Sequence, residues 1–88
     1  MNPSSFVFKL SVPNDPESTI IVAALARHAA EYAKLGNGAA DGFIERTRSA
    51  AAKTLHGAPD RSTMVVFAAE DGTLSAVVGD ETVTAPLP

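Results

Sequence analysis

The chain is 88 residues long, 45% apolar and 19% charged, with a formal net charge of −3. Those values describe one small globular domain with a single two-layer core and exclude a disordered chain, which would be poorer in apolar residues and richer in net charge. A mildly acidic chain has no electrostatic reason to bind nucleic acid or an anionic membrane, and the absence of cysteine removes disulfides, thiolate metal sites and thiol nucleophiles.

The longest uninterrupted apolar run, Ile20 to Ala26, is far shorter than the roughly 20 residues that cross a bilayer. Met1 to Leu10 lacks the charged head and apolar stretch of a secretory signal, so a cytoplasmic protein away from membranes is expected. Sixteen alanines stand against five aromatic residues. The core is therefore expected to be built of small side chains, with Phe6, Phe8, Phe43 and Phe67 contributing most.

Phe6, Phe8, Leu10 and Val12 alternate with Val7, Lys9 and Ser11, the period of two of a half-buried strand. Pro13-Asn14-Asp15-Pro16 stops it, and Asp15 followed by Pro16 has the form of a helix N-cap and first helical residue. The next segment carries Ile21, Leu25, His28, Tyr32 and Leu35 at spacings of 4, 3, 4 and 3, which predicts a helix with that set as its buried stripe. Arg27, Glu31 and Lys34 lie off the stripe, and Gly36 is expected to end the helix with a positive φ.

Gly36-Asn37-Gly38 leads to a second predicted helix from about Ala39 to Leu55, with Ala40, Ile44, Thr47, Ala51 and Leu55 on one side and Phe43 and Ala50 beside them. Gly57 and Pro59 close it. Ser62 to Ala69 reads as a strand, Glu70-Asp71-Gly72-Thr73 as a tight turn, and Leu74, Ala76 and Val78 as the inward face of a third strand.

The expected fold is an α+β two-layer sandwich in the order strand, helix, helix, strand, strand, with two helices on a three-stranded antiparallel sheet. Residues 1–88 form one domain, ordered from about 6 to 84, with a frayed tail at 85–88. Phe6, Phe8, Leu10, Ile21, Leu25, Phe43, Ile44, Leu55, Phe67, Leu74 and Val78 are the expected core. Two helices cover only one face of such a sheet. Met64, Val66, Ser75 and Val77 point away from the core, so a homodimer through that face or through a free sheet edge is expected.

Catalytic chemistry is not assembled in the sequence. His28 lies on the apolar stripe, where a packed or interface histidine is the plain reading, and His56 at the end of the second helix suits the negative end of the helix dipole. The Gly36 to Gly42 segment carries its third glycine one residue late for a dinucleotide fingerprint and joins two helices. Glu70-Asp71 and Asp80-Glu81 are neighbours near turns, where solvated acids are ordinary. No G-x-S-x-G elbow occurs. The expectation is a protein that is not an enzyme and uses no cofactor or metal.

Leu10-Ser11-Val12-Pro13-Asn14-Asp15-Pro16, the apolar helix, a second helix ending at His56, and a hairpin leading to Val77-Val78-Gly79-Asp80 resemble the N-terminal half of the anti-sigma regulatory factors. These are small bacterial members of the histidine-kinase-like ATPase superfamily. The likeness runs from about Phe6 to Thr84. Aligned on Asp41 and His56, it places Arg48 where the family has an acidic residue that assists ATP chemistry and Ala52 where it has an asparagine that binds magnesium. Asp80 matches an adenine-recognising aspartate, but Thr82 and Thr84 stand where the Asp-x-Gly-x-Gly pattern has glycines. The resemblance thus implies a truncated, degenerate relative: a non-catalytic regulatory module whose partner is a sigma factor or an anti-sigma antagonist protein. The alternatives are a weak adenine-nucleotide-binding domain using Asp80, or a structural homo-oligomer with no regulatory role.

Overall fold

The computed structural model describes residues 6–55 and 58–87. Strand β1 (Phe6–Asn14) is followed by helices α1 (Ser18–Tyr32) and α2 (Asn37–Thr54) and by strands β2 (Ala58–Glu70), β3 (Thr73–Val78) and β4 (Glu81–Pro86). The four strands form one antiparallel sheet in the order β1-β2-β3-β4. The α+β class and the pair of helices on an antiparallel sheet agree with the sequence; the sheet has four strands, not three.

The missed strand has a clear local cause. Between Glu81 and Pro86 only Val83 is a large apolar residue, so the alternation carries little hydrophobic signal, and the prolines at 86 and 88 read as a chain end. Val83 and Ala85 nevertheless point into the core, at 8% and 2% exposure, while Thr82 and Thr84 point out. Proline at position 86 is tolerated because β4 is an edge. The tail expected to fray from residue 85 instead pairs Ala85 with Leu74 and Pro86 with Thr73, and the Leu87 amide donates to the Gly72 carbonyl at 2.8 Å.

Turn chemistry sets the sheet register. Asp71 and Gly72 both have positive φ, 53° and 74°, the geometry of a two-residue hairpin turn whose twist matches the strands it joins. At the β3–β4 turn Gly79 has φ 59°. A Cβ there would lie 2.9 Å from Thr54 Cγ2 and 3.4 Å from Thr63 Cγ2. Glycine is required at that position both for its backbone conformation and for the close approach of the end of α2.

Helix α2 follows the expected pattern, with Phe43, Ile44, Thr47, Ala50 and Ala51 buried and Leu55 beneath it. The Thr47 hydroxyl donates to the Phe43 carbonyl at 2.8 Å, which satisfies the one polar group on that face. Arg46 reaches from α2 to β4, its Nη1 donating to the Thr84 carbonyl at 2.9 Å.

Helix α1 departs from its expected orientation. Its buried residues are Ser18, Val22, Ala26, Ala29 and Ala30, continued by Ala33. Ile21 is 47% and Tyr32 63% exposed; His28 is exposed, and Leu25, Phe6, Phe8 and Leu10 are only partly buried. The reason is steric. α1 packs chiefly on α2, and an alanine face lets two helix backbones approach closely, so the large apolar side chains are turned to the flank.

The helix ends also differ from the sequence reading. Asp15 Oδ1 accepts the Glu17 amide at 2.9 Å, but this bond lies in the turn before the helix, whose N-cap is Glu17 and not Asp15. At the other end the C-cap is Ala33, and the left-handed residue after it is Lys34, not Gly36. Lys34 takes φ 60° while its amide bonds Glu31 and the Leu35 amide bonds Ala30, the paired pattern of a Schellman cap. Gly36 has φ −64° and is the N-cap of α2, which begins at Asn37 instead of near Ala39.

Two stability predictions follow from these positions. Phe43→Ala should lower stability by about 3–5 kcal/mol, because the ring is fully buried and its loss leaves a cavity. Lys34→Gly should raise stability by about 1 kcal/mol by removing the left-handed penalty of a residue with a Cβ. Urea denaturation midpoints of the two variants check both.

Candidate functional site

Both helices lie on one side of the sheet, so among the described residues no second layer covers the outward side chains of the strands. Met64, Val66, Ser75 and Val77, the expected interface set, come together there. Val66 pairs with Val77 on one side and Lys9 on the other, and Ala68 pairs with Ser75 and Val7. Met64 is 52% exposed and Val7, which joins the same face from β1, is 58% exposed. The Ser75 hydroxyl is held against the Ala68 carbonyl at 3.4 Å, and Thr82 and Thr84 border the patch. The face is apolar at its centre and carries one cation, Lys9, toward β1.

A second surface lies at the opposite edge from β4, and sequence reading missed it by expecting Phe6 and Phe8 in the core and His28 and Tyr32 on a buried stripe. A groove of about 460 Å³ between β1 and α1 is lined by Phe6, Val7, Phe8, His28, Ala29 and Tyr32. Its floor is an aromatic chain: Phe6 meets Tyr32 edge-on with centroids 5.1 Å apart, and Phe8 stacks at 5.2 Å on the buried Phe67. Further along the same side a second depression of about 440 Å³ is lined by Pro13, Asp15, Glu17, Ser18, Ile20 and Ile21. The alternation of β1 and the 4-3-4 spacing on α1 were the available signals; what hid the groove was the assumption that the largest apolar stripe is the most buried one.

The residues searched for chemistry are scattered. His28 Nδ1 lies 4.0 Å from Glu31 Oε1, with both side chains well exposed. His56 lies outside the described residues. Asp80 is exposed on the β3–β4 turn, Asp71 sits in the β2–β3 turn, and Glu70 and Glu81 sit at strand ends. Arg48 and Ala52 are exposed on α2, with Arg48 paired to Glu45 at 3.0 Å. Among the described residues no three His, Asp or Glu side chains are placed to hold a metal ion, and no helix is long and apolar enough to cross a membrane.

Comparison with protein-family models, with curated proteins and with solved structures found no match. Titration calorimetry with magnesium-ATP is expected to show no saturable binding tighter than about 100 µM. Binding tighter than that, abolished by Asp80→Ala, would establish the adenine-binding alternative.

Proposed function

We propose that the chain is a non-catalytic protein-interaction module, self-associating and regulatory, of the kind its resemblance to a degenerate anti-sigma factor implies. The observation that carries the reading is the uncovered sheet face with Met64, Val66 and Val77 on its two central strands and Val7 at its edge. An apolar sheet face without a covering layer is a contact surface in search of a partner. Among the described residues the ionisable groups are dispersed over turns, strand ends, helix exteriors and, for Lys9, the middle of β1, where they support binding specificity better than catalysis.

The resemblance supplies the class of partner. A relative that has cation and methyl at Arg48 and Ala52, and threonines at 82 and 84, could keep a protein-gripping role after losing the nucleotide site. A sigma factor or an anti-sigma antagonist protein is the partner this reading names, and the cytoplasm is its location. Affinity capture on the tagged full chain tests it. Recovery of such a protein in stoichiometric amount, lost in Val66→Lys, is the expected result; recovery of the chain alone, with or without the substitution, would leave only a structural homo-oligomer.

A further inference from the structure

We infer that the second copy docks along β1 and α1, by antiparallel pairing of the two β1 strands and packing of the two α1 helices across one two-fold axis. The inference rests on the reading of the chain as a self-associating module and moves the self-contact away from the Met64–Val77 face, which stays free for another protein.

The two edges of the sheet are treated differently. On β4 the strand is short, ends in Pro86 and has its Thr84 carbonyl occupied by the Arg46 guanidinium. Such devices discourage strand addition. β1 is nine residues long, with Lys9 as its single charge and Pro13 only near its end. Among the described residues nothing pairs with its outer edge, so it offers a row of backbone donors and acceptors beside an apolar groove, the combination used in strand-addition recognition.

The occupant is identified by symmetry. The flank of α1 beside the groove carries the exposed Ile21, His28 and Tyr32 and the partly buried Leu25, and the 4-3-4 spacing is the same read in either direction. A two-fold axis between Leu25 and His28 sets Ile21 opposite Tyr32 of the second copy and Leu25 opposite His28 of the second copy. An isologous contact demands such self-matching, and the ordinary helical period of this stripe meets it.

The strand obeys the same axis. Centring the β1 pair on Leu10 overlaps the whole of Phe6–Asn14 and places Lys9 opposite Ser11, whereas centring it on Lys9 would oppose two ammonium groups. Tyr32 packs on Phe6 at one end of the groove and Ile20 and Ile21 border Pro13 at the other, so helix and strand run side by side and their midpoints coincide. One operation therefore pairs the open edge, covers the half-exposed Phe6 and Phe8, and buries the α1 stripe. A two-fold interface of ordinary size takes about 800 Å² from each copy. With a whole aromatic side chain burying about 150–250 Å² and Tyr32 at 63% exposure, each Tyr32 supplies roughly 100–150 Å² of it.

Light scattering on the full chain, from a few micromolar to about 100 µM, tests the proposal with three single variants. The wild type and Val66→Lys should both run at twice the 9.1 kDa chain mass, while Ile21→Glu and Tyr32→Glu should fall to the single-chain mass. Circular dichroism unchanged from wild type shows that these two, being exposed in the single chain, have not unfolded. Amide exchange in β1 should also slow with rising concentration in the wild type and not in Tyr32→Glu. A wild type at 9.1 kDa at every concentration overturns the inference, and if a captured protein is then lost in Tyr32→Glu, the groove serves that protein and not a second copy. A dimer broken by Val66→Lys and untouched by Ile21→Glu overturns it while leaving self-association intact.

Discussion

The close packing of an alanine face on α1 against α2 is the constraint on which the rest of the molecule depends. Val22, Ala26, Ala29, Ala30 and Ala33 are buried, and this choice fixes the rotation of the helix about its axis. Burying alanine returns little hydrophobic energy per residue, since the transfer term scales with apolar area. What an alanine face permits is close approach of two helix backbones, and α1 packs chiefly on α2. The large side chains are then supplied from elsewhere: Phe43 from the second helix and Leu55 from its C-cap, Phe67 and Leu74 from the central strands.

That rotation decides which surfaces remain open. Had α1 buried Ile21, Leu25 and Tyr32, β1 would be covered from above and its aromatic residues sealed. Instead the helix sits with its alanines inward and its larger apolar residues beside the edge strand, and Phe6 and Phe8 are closed on one side only, by Tyr32 and Phe67. At the far edge the opposite solution is found, because Arg46 from α2 ties down β4. The two edges of the sheet are thus unlike: β4 is tied to α2 through Arg46, and β1 lies beside exposed apolar side chains of α1.

The sequence made the element types legible wherever a period was strong. The alternation in β1, the Asp71-Gly72 turn and the buried face of α2 could all be read directly, because each rests on interactions local to the element. Three features could not. The orientation of α1 depends on how close α2 comes, a tertiary effect that outweighs the larger hydrophobic stripe. The fourth strand has one large apolar residue, so its signal lies in the Gly79-Asp80 turn and the β-branched Thr82-Val83-Thr84, which look instead like a damaged glycine motif when set against the anti-sigma factors. Lys34 at the helix end is a residue type that seldom takes positive φ, and Gly36 two residues later drew the expectation away from it. Of the candidate site, the outward set Met64, Val66, Ser75 and Val77 was readable from strand alternation, while the β1–α1 groove was hidden by the misplaced stripe.

The central claim is that the side chains α1 leaves outside are matched by the same side chains of a second copy. A mixed sample of isotope-labelled and unlabelled chains, observed by filtered nuclear Overhauser spectroscopy, addresses it most directly. The account predicts intermolecular contacts between the Ile21 methyl groups of one chain and the Tyr32 ring of the other, together with cross-strand contacts about Leu10. Intermolecular contacts confined to Met64, Val66 and Val77, or none at all at concentrations near a millimolar, would contradict it.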